Sequence, residues 1–226
     1  MDEARLINGL IQLGVLIFSL CLHEFGHAWM ANRLGDPTAK MLGRLTIDPR
    51  AHVSLIGTII FPALMIFFPG FFLIGWAKPV PVTAENFKNP RWDMTLVAIA
   101  GPSMNILLAV LSTFTLWFCN QAGFFNLEAS TVMVLLKFLL LFLFINFFLA
   151  VFNLLPIPPL DGGWLLKAIL PGPLAYRVSQ LEPYSIILLL VLLNFGILNL
   201  VVFQPASAFL EAVLRLFGLD HLAGGF

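Results

Sequence analysis

The chain has 226 residues, 60% of them apolar and only 11% charged, with 12 basic and 12 acidic side chains and no net charge. Its mean hydropathy of +0.96 excludes an ordinary water-soluble globule, whose surface needs far more charge. No basic stripe or recognised binding motif is present, which excludes a nucleic-acid partner. Cys21 and Cys119, the two cysteines, fall in different apolar stretches and make neither a disulfide framework nor a C-x-x-C pair.

Taken in chain order, four stretches reach the ~20 apolar residues that a membrane helix needs: 6–34, 94–119, 131–155 and 184–203. The first has a poor signal-peptide start, because its leading residues are not net positive and no small-residue cleavage site closes it. It reads as a retained membrane helix. Residues 55–76 are equally apolar but are interrupted by Pro62 and by Pro69-Gly70. If 55–76 crosses the membrane, the 12 basic residues divide six to a side. If it dips in and returns, nine share the side of the loop after the first helix, leaving Arg5, Lys137 and Arg215 opposite. The positive-inside rule selects the second arrangement, with the N-terminus outside and residues 35–93 cytoplasmic.

Residues 44–48 alternate polar and apolar as a half-buried strand does. Residues 78–82, with two prolines, read as an edge strand at best. Residues 206–217 place Phe209, Leu210, Val213, Leu214 and Phe217 on one helical face, as in a helix lying in the membrane interface. The expected fold is an all-α polytopic membrane protein in one domain, 1–226. It has three core helices and one further membrane helix, a membrane-dipping re-entrant or β-hairpin segment, and a C-terminal interfacial helix.

Chemistry concentrates at H-E-F-G-H, residues 23–27. On a helix, i and i+4 share a face, so His23 and His27 can reach one cation. Glu24, beside the first ligand, can take a proton from metal-bound water and return it to the leaving amine. His23 lies about 15 Å from Arg33 at 1.5 Å per residue, well inside an apolar helix. Ionisable groups at that depth are costly unless paired or functional. Zinc takes a third protein ligand and keeps a fourth position open. Met30 and Arg33 exclude the metzincin continuation, and Glu85, Glu128 and Glu182 sit in or beside loops. Asp161 remains, in N-L-L-P-I-P-P-L-D-G-G at residues 153–163. There prolines force extended backbone and glycines permit a sharp turn. Such backbone at membrane depth must be buried in protein or line a watery cavity. Taken alone, Asp161 reads first as a turn or cap residue at a helix exit.

These segments, with G-P-S-M-N at residues 101–105 between them, resemble the site-2 protease family of intramembrane metalloproteases. The motifs occur in that family's order across about residues 20–165. The accessory membrane helix and tail follow at about 184–218. The resemblance implies one zinc ion held by His23, His27 and Asp161, Glu24 as catalytic base, and Asn153 and Asn105 near the substrate backbone. For Asn105, ordinary hydrogen bonding between helices is the equal alternative. The implied activity is hydrolysis of membrane-protein substrates within or beside the bilayer, in the plasma membrane. About ten residues join the second and third core helices, so this looks like a minimal form without a PDZ or nucleotide-sensing domain, and any regulator would be a separate protein. A metal-binding transporter or sensor is the competing reading, but it has no need of Glu24, and no inverted repeat is present. His52 reads as an interfacial histidine without a metal role.

Overall fold

The computed structural model describes residues 3–60, 62–63, 75–126 and 130–220. Among them no strand occurs. Among the described residues, three helices are long and apolar enough to cross a membrane, or four if the bent pair Gly172–Tyr184 and Ile187–Asn194 is one span. The chain forms two compact units, Met1–Met104 and Asn105–Phe226, with the division inside a helix.

The first unit is built on helix α1, Glu3–Leu34. It stops because Gly35 adopts φ 107° and Asp36 N–H turns back to the Ala31 carbonyl at 2.9 Å, the six-to-one bond of a Schellman end. Pro37 then bars continuation. Asp36 is fully buried and works as a knot. Its Oδ1 accepts from Thr38 N–H (3.1 Å), Thr38 Oγ1 (2.5 Å) and Asn86 Nδ2 (2.7 Å), and its Oδ2 from Thr83 N–H (2.8 Å). The end of α1 is thereby tied to residues 83–86. From there Asn89, whose N–H donates to Asp93 Oδ2 at 2.9 Å, and Pro90 open the second long helix. A reach-back carboxylate with proline at the first position is a strong start signal.

The strand expected at 44–48 is absent. α2, Thr38–Met41, is followed by turns, and Asp48 caps α3, Pro49–His52, by accepting from Arg50 N–H. The carbonyls a strand edge would offer are already taken. Thr46 O accepts from His52 Nε2 (2.8 Å), Ile47 O from the Cys21 thiol (3.2 Å) and Ala51 O from the Arg44 guanidinium. An Asp-Pro step starts a helical turn, and that local preference overrides the alternation. Residues 78–82 form no strand, and Pro79 and Pro81 keep the residues before them out of the helical region.

Residues 55–76 return to their starting point. Beyond the π-turn Leu55–Ile60, Trp76 N–H donates to the Gly57 carbonyl (3.1 Å) and Thr58 Oγ1 to the Trp76 carbonyl (2.7 Å). Lys78 N–H reaches the His52 carbonyl at 2.7 Å. Groups joined by hydrogen bonds cannot lie on opposite faces of a bilayer, so 35–53 and 76–93 share a side. The tip of the expected re-entrant hairpin, residues 61 and 64–74, lies outside the described residues.

The second unit pairs the later part of α4, Pro90–Gln121, with α5, Ser130–Asn153. Leu116, Leu136, Leu139, Leu140 and Leu143 form its core together with Val213, Leu214 and Leu219. Asn105 and Asn146, both fully buried, meet at 2.9 Å, and Ser112 Oγ donates to the Leu139 carbonyl at 2.8 Å. Between membrane helices each such bond is worth about 1 kcal/mol. Helices α6, Asp161–Ile169, and α7, Gly172–Ser179, follow. The expected helix over 184–203 is broken. α8 covers only Ser185–Asn194, Gly196 takes φ 72° as a left-handed cap, and a π-turn leads into α9, Gln204–Leu216. The apolar face of α9 is largely covered by protein: Ala206, Val213 and Leu214 are buried, and Phe209 stacks on Phe147 at 3.7 Å. Its opposite face carries the exposed Glu211–Arg215 pair at 3.4 Å.

Burial alone would raise the Asp36 pKa, but the hydrogen bonds from Thr38, Thr83 and Asn86 outweigh it and hold the carboxyl below its usual range. A folded pKa below the unfolded value, about 3.9, stabilises the fold above that value. The contribution disappears as pH falls through the folded pKa. Asp36→Ala should therefore lower stability at neutral pH by about 1.5–3 kcal/mol, read as thermal unfolding in detergent, and the loss should shrink below about pH 4. Single cysteines at Lys40 and Asn89, with Cys21 and Cys119 replaced, should react with an impermeant thiol reagent from the same side of sealed vesicles.

Candidate metal centre

Two turns before the end of α1, the side chains of His23 and His27 converge. Their Nε2 atoms are 3.0 Å apart, with ring centroids at 4.6 Å and planes at 85°. His27 Nδ1 lies 2.7 Å from the Val97 carbonyl. A carbonyl only accepts, so Nδ1 carries the proton and Nε2 presents its lone pair. Two imidazole nitrogens facing each other so closely need a proton or a cation between them. A tetrahedral zinc site with Zn–N bonds of 2.0–2.1 Å spaces its nitrogens about 3.3 Å apart. The pair fits that ion, and the Val97 carbonyl is the outer partner that metal-binding histidines usually have.

This convergence depends on missing side chains. A Cβ on Gly101 would strike the His27 ring at Nε2 and lie 2.7 Å from His23 Cε1. One on Gly26 would lie 2.8 Å from the Ala100 carbonyl and 3.3 Å from Met104 Cβ. Helix α1 and the first turns of α4 thus meet backbone to backbone, as small residues allow between membrane helices. Pro102 sits inside α4 and cannot supply the N–H that would bond to the Ala98 carbonyl.

Glu24 is half-buried, and its Oε2 accepts from Val80 N–H at 2.9 Å. The extended 78–82 stretch therefore runs past the carboxylate. His52, almost fully buried, spends Nε2 on the Thr46 carbonyl. That bond folds the 46–52 turn.

In the second unit, Asp161 is the first residue of α6. The loop before it curls over the helix start, with Leu160 N–H on the Ile157 carbonyl and Gly163 N–H on the Leu160 carbonyl, each at 2.9 Å. A Cβ on Gly162 would collide with the Leu154 and Leu155 carbonyls, and one on Gly163 would lie 2.8 Å from Pro158 N. The two glycines after Asp161 make room for that curl. Asn153 closes α5 with Nδ2 on the Leu149 carbonyl at 2.9 Å. Asn105 is committed to Asn146, so contact with a substrate would require that pair to open. The first unit thus gathers His23, His27 and Glu24, while Asp161, Asn153 and Asn105 belong to the second. Sequence reasoning missed Val80, Val97 and Asp36. Only Asp36 carried a local sign, the Asp-Pro-Thr turn.

The profile of peptidase family M50 matches residues 11–130 and 120–193. The chain is 38% identical over 202 residues to the "Putative zinc metalloprotease YwhC" of Bacillus subtilis, covering 89% of this chain and 88% of that one. It is 34% identical over 183 residues to the "Putative zinc metalloprotease Rip2" of Mycobacterium tuberculosis, covering 81% of this chain and 66% of that one. A "Zinc metalloprotease MJ0392" of Methanocaldococcus jannaschii is 27% identical over 191 residues, covering 83% of this chain and 43% of that one. No solved structure matches. With its motifs in the expected order and a match over most of its length, the chain belongs to peptidase family M50.

Proposed function

We propose that this membrane-embedded M50 peptidase hydrolyses peptide bonds in transmembrane or membrane-adjacent segments of other membrane proteins. His23, His27 and Asp161 would hold one zinc ion. The observation that carries the reading is the facing Nε2 pair at 3.0 Å inside an apolar helix, next to Glu24.

The zinc ion would supply Lewis acidity that polarises a scissile carbonyl and acidifies water. Glu24 takes the proton from the attacking water and gives it to the departing amine, so it needs a reachable carboxylate and no metal bond of its own. A helical substrate hides its peptide groups in its own hydrogen bonds and must unwind to be cut, after which its freed N–H and C=O groups need partners. Residues 78–82 run beside Glu24 through the Val80 N–H bond and would offer their carbonyls to such groups. Asn153 would offer one further hydrogen bond to the unwound substrate. The sharing of nine basic residues with the 35–93 side supports a plasma-membrane orientation with that side cytoplasmic.

Purified protein should contain one equivalent of zinc, which His23→Ala, His27→Ala and Asp161→Ala each lose. Full zinc in Asp161→Ala would remove Asp161 from the ligand set. Glu24→Gln should retain zinc and thermal stability while cleavage of a co-expressed single-pass protein falls by about 10²–10⁴-fold.

A further inference from the structure

We propose that the backbone N–H of Val80 is the positioning group for Glu24, a role that rests on Glu24 being the proton-transfer residue. Glu24 has three side-chain torsions and, without an anchor, would distribute its carboxylate over several rotamers. Val80 N–H holds Oε2 at 2.9 Å. A hydrogen bond to an ionised carboxylate is among the stronger ones, and it leaves Oε1 to accept the proton.

The local sequence makes this donor specific. In Lys78-Pro79-Val80-Pro81 the prolines have no N–H and fix φ near −65°, so the stretch owns two donors. Lys78 spends its own on the His52 carbonyl at 2.7 Å, and the other faces Glu24. The stretch is anchored on both sides of Val80. Before it, Trp76 N–H binds the Gly57 carbonyl at 3.1 Å. After it, Thr83 N–H binds the Asp36 carboxylate at 2.8 Å. A loop pinned at His52 and Asp36 holds its middle amide still, and a stiff Pro-Val-Pro run transmits that to Glu24. The side chain of Val80 takes no part in the bond, so the chemistry resides in the backbone alone.

The test measures zinc content, kcat and KM in four forms of the full chain. The probe is a quenched-fluorophore transmembrane peptide that the unaltered protein cuts. The forms are Val80→Pro, the backbone ester made by inserting 2-hydroxyisovaleric acid at position 80, Val80→Ala and Glu24→Gln. Both N–H-deleting forms should keep zinc, with KM within about twofold and kcat lowered about 10- to 100-fold, the size expected for losing a hydrogen bond to a charged group. Val80→Ala, which keeps the N–H, should restore kcat. Unchanged kcat in the ester, or a loss of kcat that comes with loss of zinc, overturns the positioning role. If Glu24→Gln is inactive in the same assay, that failure is confined to Val80. If Glu24→Gln cleaves normally, the assignment of Glu24 fails and the role of Val80 falls with it.

Discussion

Two helices can bring a pair of imidazoles face to face at membrane depth only if their backbones nearly touch. Gly26 and Gly101 grant that approach: a methyl group at either would meet the Ala100 carbonyl or the His27 ring. Because α4 comes so near, the Val97 carbonyl lies within 2.7 Å of His27 Nδ1 and determines which nitrogen is left for a metal. Ring spacing, tautomer and helix seam are consequences of one steric allowance. In water a misplaced imidazole can be solvated, but in hydrocarbon an unpaired polar group costs several kcal/mol, so the geometry and the burial of the motif are coupled.

The same shortage of water explains how the rest of the first unit is organised. Three polar side chains in or just after α1 bond loops: Cys21 to Ile47, Glu24 to Val80, and Asp36 to Thr38, Thr83 and Asn86. The loops are thus held by side chains of the helix that carries the H-E-x-x-H motif and of the turn that ends it, where a β-sheet would have used backbone pairing. That is why segments with strand-like composition remain irregular. Their carbonyls are consumed one by one by a thiol, an imidazole and a guanidinium.

Legibility of the sequence followed the range of the interactions. The H-E-x-x-H helix was readable because i,i+4 proximity is built into helix geometry, and the long apolar helices because hydrocarbon thickness sets their length. The Gly101-Pro102 motif was recognisable, but its reason was not, since the atom it avoids is 74 residues away in the chain. The alternation at 44–48 misled because a capped Asp-Pro turn, visible in the sequence, outweighs a five-residue pattern. The break at Gly196 stayed hidden because glycine is ordinary in membrane helices, and only its positive φ distinguishes a cap from a tolerated spacer. Asp36 drew no notice in the sequence, because two of its four bonds come from residues 83–86, which meet it only once the chain returns to α1.

The meeting of Gly57 and Thr58 with Trp76 bears on how such a chain can diversify. Whatever length of chain lies between those residues, both ends leave and rejoin the first unit at one place. Closure entropy grows by only about 0.6 kcal/mol for each doubling of loop length. Insertions, deletions or wholesale exchange between residues 61 and 74 would therefore leave the Lys78–His52 and Val80–Glu24 bonds in register. The insert could change in size or chemistry while the helix that carries the H-E-x-x-H motif stays unaltered, so two properties that usually constrain each other in an enzyme could evolve on separate schedules.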